Sequence, residues 1–388
     1  RVEILPVRPS VYTHIPAYDR EPRDQTRQWV VVPRGNRFAT WIRVNRTDTA
    51  GEMKLAFHGL PAGVTATCDP VAAGVDRVPV VFEAAADAPV AGALADVVAS
   101  SGDVKGGFLQ QVNLIYGQPN NTVYYATTVQ RLATAVAEAA PFSIRIVEPK
   151  VPLVQGGAMN LRVVAERREG FTKPIVLRML WAPPGVGAAN EVAIPEGQSE
   201  ADYPLNADAK AAVQSWRIAV LGTADAGGGP VWVSTPLTPL RIDTPYVGAK
   251  IDLTAVPQGG SGTVTCKLEV LKPFEGKAKV ALRGLPPGVT ATPAEREVTK
   301  DDKDVEFAVA VEAKSPAGVH KSLFCQILVP EAGDHMTHAA AGGSALRIDP
   351  PPKNAPAAAA KPGEKPAETK KLSRLEQLRA EAEKKEPK

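Results

Sequence analysis

Cys266 and Cys325, 59 positions apart, are the two residues whose type and spacing could form a covalent link in this chain. Either they close a disulfide, which would stabilise the surrounding unit by about 4 kcal/mol through loop closure, or they pack as two small buried thiols. Cys68 is left over by this count and reads as a free thiol in a loop. His335 and His338 have i, i+3 spacing, but they stand in an expected Gly/Ala loop with no cysteine or carboxylate to complete a metal set. Asp301, Asp302, Asp304 and Glu306 are interrupted by Lys303 and lack the alternation of a calcium loop, so they read as a solvated turn. Ser261 and Ser344 lie beside glycines but outside a G-x-S-x-G elbow. Neither a G-x-G-x-x-G fingerprint nor a G-x-x-x-x-G-K-[ST] phosphate loop is present. Asn45-Arg46-Thr47 and Asn120-Asn121-Thr122 satisfy the short glycosylation sequon. Trp29, Trp41, Trp181, Trp216 and Trp232 are read as core or inter-domain packing in preference to a carbohydrate platform. No catalytic, cofactor-binding or metal-binding residue is assigned, and the chain is expected not to be an enzyme.

The elements that hold these residues are organised by a repeat. Leu60-Pro61-Ala62-Gly63-Val64-Thr65-Ala66-Thr67 returns as Leu285-Pro286-Pro287-Gly288-Val289-Thr290-Ala291-Thr292, with a degenerate copy at Pro183-Pro184-Gly185-Val186. A motif recurring about every hundred residues marks a duplicated folding unit. Proline presets φ in this turn and glycine permits a positive φ, so the motif follows from a conformational need.

The third unit is the clearest. Thr263–Val270 alternates with period two, placing Val264, Cys266, Leu268 and Val270 on one face, and Ala278–Gly284 leads into the motif turn. Val305–Val311 and Lys321–Val329 alternate again, and the unit closes on Ala345-Leu346-Arg347-Ile348-Asp349-Pro350. The second unit follows the same order and ends on Pro239-Leu240-Arg241-Ile242-Asp243. By eye, Leu161 falls where the third unit has Cys266, and Ile218 where it has Cys325. An aliphatic pair in place of a cysteine pair marks both positions as buried neighbours. About seven short strands in roughly 100 residues predict an immunoglobulin-like, two-sheet Greek-key sandwich. In that fold, cysteines of the second and sixth strands face each other across the core at comparable spacing.

The fold class expected is therefore all-β, with three tandem immunoglobulin-like sandwiches over 26–140, 141–245 and 246–349. Residues 1–25 are taken as a linker or the end of a preceding domain, since the chain opens without methionine. The spacing between motif glycines is larger before the second unit, and the excess is assigned mainly to Thr122–Glu138, a strand in its β-branched half and of open type in its alanine-rich half. Residues 350–371 are almost entirely Pro, Ala, Lys, Glu and Gly and predict a disordered linker. Residues 372–388 predict a short charged helix capped by Ser373, which needs a partner surface to be stable.

Composition narrows the partners. The 388-residue chain has a formal charge of +3 and no basic stripe with interleaved aromatics, which argues against nucleic acid. No apolar stretch is long enough to span a bilayer.

The segments Val154-Gln155-Gly156-Gly157, Arg167-Arg168-Glu169-Gly170-Phe171, Pro174-Ile175-Val176-Leu177 and Gly284-Leu285-Pro286-Pro287-Gly288-Val289 resemble the immunoglobulin-like repeats of large secreted planctomycete-type bacterial proteins, which often carry a bacterial pre-peptidase C-terminal domain. Val32-Pro33-Arg34-Gly35 and the stretch from Arg131 to Phe142 share the likeness, which covers about residues 26–349. The second unit departs from it at Met179-Leu180-Trp181. The resemblance implies an exported, periplasmic or surface protein and transfers no catalytic residue. The function expected is a non-catalytic spacer or adhesion module of a larger exported protein, with an envelope protein or glycan as partner. The alternative is an accessory, carbohydrate-binding region of a secreted peptidase or glycan-active enzyme whose catalytic domain precedes Arg1.

Overall fold

Period-two alternation in the sequence becomes half-buried strand: Asp304–Val311 buries every second side chain, and Thr238–Asp243 does the same. The computed structural model describes residues 9–16, 28–117 and 122–351, and these form strands and turns with no helix among them. Residues up to Asp349 make one compact unit. The expected tail helix over 372–388, and the linker beyond Pro351, lie outside the described residues.

Three immunoglobulin-like sandwiches follow one strand order. In the first, Ser10–His14, Arg37–Thr47, Arg77–Ala84 and Val64–Cys68 form one antiparallel sheet, and Val30–Pro33, Leu132–Ala137, Gly92–Ser101 and Lys54–His58 form the other. The third repeats this with Val247–Ile251, Ser261–Val270, Asp304–Val311 and Val289–Thr292 facing Thr254–Pro257, Asp334–Asp349, Gly318–Glu331 and Ala278–Arg283. The second keeps the order Phe142–Ile146, Gly157–Arg167, Glu200–Ala207, Val186–Ala188 in its first sheet, while its second sheet is split in two where the last strand breaks at Thr235-Pro236-Leu237. In all three, a short strand near the start pairs in parallel with the closing strand, as in Thr134↔Val30, Leu153↔Ile242 and Val256↔Ile348.

The repeated turn is the same object in each copy. The valine after the motif glycine donates its N–H to the proline carbonyl three residues back: Val64 to Pro61, Val186 to Pro183, Val289 to Pro286. The glycine carbonyl then accepts from the end of a neighbouring strand, from Ala85, Asp208 and Glu312 respectively. Gly63, Gly185 and Gly288 have φ of 77°, 81° and 74°, and a Cβ on them would meet Ala88, Ala211 and Ser315 at 2.9, 2.6 and 2.5 Å. Both φ and space thus demand glycine there.

Three expectations need correction. Ser10–His14, inside the segment taken as linker, is an edge strand of the first sandwich, because Val11, Thr13 and Ile15 alternate into its core. Counting from the repeated Asp208 and Glu312 hydrogen bonds, the residue in Cys266's place is Val163; Leu161 lies two positions earlier on the same buried face. The excess before the second unit is a hairpin of Gln110–Gly117 and Thr122–Val129, and the alanine-rich half that follows is also strand, Leu132–Ala137. Parallel and antiparallel neighbours on its two sides hold that strand despite its low intrinsic β preference.

Candidate interaction surfaces

Cys266 and Cys325 lie on the two strands that face each other across the third core, and both are fully buried. Their Sγ atoms are 2.9 Å apart, with the Cys325 thiol donating to Cys266. They stand as neighbouring thiols, not as a bonded pair. The contact with Cys266, and burial, push the Cys325 thiol up, while the same contact holds the Cys266 thiol down. Cys68 ends the strand Val64–Cys68 instead of lying in a loop, and burial raises its thiol to about 11.

His335 and His338 belong to the strand Asp334–Asp349, not to a loop, and i, i+3 spacing on a strand sends side chains to opposite faces. Among the described residues no group of three or more His, Cys, Asp or Glu could hold a metal ion. His338 has a structural task. It is buried where the second and third sandwiches meet, and its Nε2 accepts the N–H groups of Tyr246 (2.9 Å) and Val247 (3.3 Å). Burial lowers its pKa to about 4, so at neutral pH the ring is uncharged with its proton on Nδ1. The same strand carries the sheet across the joint: Gly157 and Ala158 pair with His338 and Thr337, and the Ala339 N–H donates to the Gly156 carbonyl. Sequence reasoning missed this role, for which His338 carries no local signal.

The first joint is built from side chains. Leu180, Ala219 and Leu221 of the second sandwich are buried in the first core, with Trp232 and Leu237 packed against it. Asn36 Nδ2 donates to the Phe142 carbonyl at 2.9 Å, and Arg217 pairs with Asp69 at 2.9 Å. Trp181 and Trp216 meet edge to face, with ring centroids 5.5 Å apart, beside a 210 Å³ cavity in this joint. Trp41 is buried under the Arg77 guanidinium, 4.3 Å from its ring centre. Four of the five tryptophans therefore serve packing, and Trp29 is exposed.

Two features face solvent on the first sandwich. A groove of 620 Å³ is lined by Tyr12, His58, Asp96, Phe108, Leu109 and Gln130. Beside it projects the hairpin, which exposes Leu114, Tyr124 and Tyr125. Of the two sequons, Asn45 is half-buried and its amide bonds His14 Nδ1 at 2.8 Å, so a glycan there would break a formed contact. Asn120 and Asn121 lie outside the described residues. Asp302 accepts from the Thr299 N–H and hydroxyl, which makes the acidic run a turn.

No family model and no curated protein matches the chain. Among solved structures it is similar to a protein of unknown function from Porphyromonas gingivalis W83, with 11% identity over 54% of this chain and 100% of that one at a TM-score of 0.20. It is also similar to the D0-D1 domain of intimin, with 12% identity over 53% and 97% at 0.19. Fibronectin(III)-like modules of Clostridium thermocellum CbhA match with 11% identity over 56% and 90% at 0.17. At TM-scores this low the likenesses carry no argument; the immunoglobulin-like fold rests on the strand order of the chain itself.

Proposed function

We propose that the chain is a non-catalytic module of a larger exported bacterial protein, a spacer or adhesion-type tandem of immunoglobulin-like sandwiches related to the planctomycete-type repeats it resembles. The observation that supports this best is the construction of the joints. One is sealed by a shared apolar core and the other by a shared sheet, where a flexibly linked set of domains would have polar linkers. Its place is the periplasm, the cell surface or the medium, and its partner an envelope protein or glycan. In that oxidising setting Cys266 and Cys325 close a disulfide, which contributes about 4 kcal/mol to the third sandwich. The tail over 372–388 offers a docking segment.

Fractionation of cells carrying the full-length gene, with non-reducing peptide mapping, tests the reading. Recovery outside the cytoplasm with Cys266 linked to Cys325 supports it; a cytoplasmic protein with both thiols free contradicts it. The groove with Tyr12, His58, Asp96 and Gln130 favours a second reading, glycan binding, which a glycan array on the recombinant chain decides.

A further inference from the structure

Trp181 stands where the repeat breaks its own rule. Four positions before the motif glycine, the first and third units have Gly59 and Gly284, with φ of 74° and 73°. The second unit has an indole there and no positive φ. A turn that needs backbone freedom explains the glycines; it does not explain the largest side chain in their place.

Trp181 lines the 210 Å³ cavity between the first and second sandwiches, together with Trp216, Asp69, Arg77, Ser215 and Arg217. A joint built only for packing is filled to near-crystal density, and this one keeps space beside its two indoles. The volume lies below the roughly 300–1,000 Å³ of a site for a drug-sized molecule and suits a single sugar ring.

The polar lining is rich in donors. Among the described residues Arg217 makes one hydrogen bond, from Nη1 to Asp69 at 2.9 Å, so the rest of its guanidinium fork has no protein partner. The Trp181 Nε1–H and the Ser215 hydroxyl have none among them either, whereas the Trp216 Nε1–H is held by the Ala212 carbonyl at 3.1 Å. Arg77 is engaged, by Asp76 and over the Trp41 ring. With Arg43 also on Asp76, three guanidinium groups stand against the two carboxylates of Asp76 and Asp69, so the local charge favours an anion.

Each of these groups asks for a particular complement. A guanidinium fork takes a carboxylate through two parallel hydrogen bonds. An indole offers an apolar face and one donor, and a hydroxyl pairs with other hydroxyls. An acidic sugar carries all three complements on one ring: a carboxylate, a C–H face and several hydroxyls.

We infer that this cavity binds a uronic acid residue of an acidic glycan, with its carboxylate on Arg217 and its ring beside Trp181. The inference rests on a glycan being the partner, and it places the contact in the first joint instead of the groove that holds Tyr12.

Titration of the full chain with the methyl glycoside of glucuronic acid, followed by the indole N–H resonances, tests this. The expected result is a saturable shift of the Trp181 and Trp216 signals, with the Trp29 signal unmoved. The methyl glycoside of glucose, which lacks the carboxylate, should bind at least about tenfold more weakly, and so should N-acetylalanine, which has the carboxylate without the hydroxyls. Arg217→Ala should cost a similar factor while leaving the melting temperature nearly unchanged, since its ion pair is half-exposed. No shift of either indole, equal binding of the neutral glycoside or of N-acetylalanine, or an Arg217→Ala chain that binds as well as the original overturns the inference. Tyr12→Ala should leave binding intact; if it abolishes binding and Arg217→Ala does not, the glycan reading stands with the groove as its site and the cavity is excluded.

Discussion

The two joints between sandwiches hold by different means. Between the first and second, aliphatic side chains of one sandwich enter the core of the other, and a half-exposed Arg217–Asp69 pair sits at the rim. Between the second and third, backbone pairs with backbone, and the neutral ring of His338 collects two N–H groups at the start of the third sandwich. Burial of apolar surface is indifferent to pH, whereas a ring that must accept two hydrogen bonds is not. The first joint thus rests mainly on burial that pH does not change, whereas the second lies beside a ring whose hydrogen bonds depend on its staying neutral.

Truncation separates them most strongly. Leu221→Ala removes a buried side chain from the first joint and should cost about 2–5 kcal/mol, read as a lower denaturation midpoint; the Ala339 amide in the second joint should keep its exchange protection.

Acid should act on the other side. His338 has a folded pKa of about 4 against an unfolded value near 6.5, so its contribution is fully present above pH 6.5. As pH falls, the unfolded chain takes up the proton first. About 3 kcal/mol is then lost across the window between those two values, and below pH 4 the loss levels off. Urea titrations at a series of pH values check the slope, and His338→Gln should flatten it.

The smallest effect is expected at the rim of the first joint. Arg217→Ala removes an ion pair whose partners are both more than a third exposed, so it should change stability by less than about 1 kcal/mol, and by less still in high salt. A chemical denaturation curve at low and high salt measures it.

The turn motif was legible because its need is local. Gly63, Gly185 and Gly288 must take a positive φ, and that requirement writes Pro and Gly into the sequence each time. Alternation likewise revealed Asp304–Val311, and the facing of Cys266 with Cys325 was drawn from their 59-residue spacing set against that of an immunoglobulin-type sandwich. The joints were not legible, because they depend on which strands meet after folding. Nothing near His338 in sequence announces that Tyr246 and Val247, some ninety residues away, will donate to it. Nothing in the sequence around Leu180 and Leu221 marks their destination, yet their side chains lie in the first core. Ser10–His14 was overlooked for a related reason: five residues of mixed polarity become a strand only when Arg37–Thr47 offers an edge. The ribbon was half visible, in Thr122–Val129, but its pairing with Gln110–Gly117 follows from topology.

Two unlike joints fix the three sandwiches to one another. Pulsed electron-spin measurements on label pairs placed across each joint test it most directly. The prediction is a narrow distance distribution across both at pH 7, with the second alone broadening near pH 4. A broad distribution across either joint at pH 7 would contradict it.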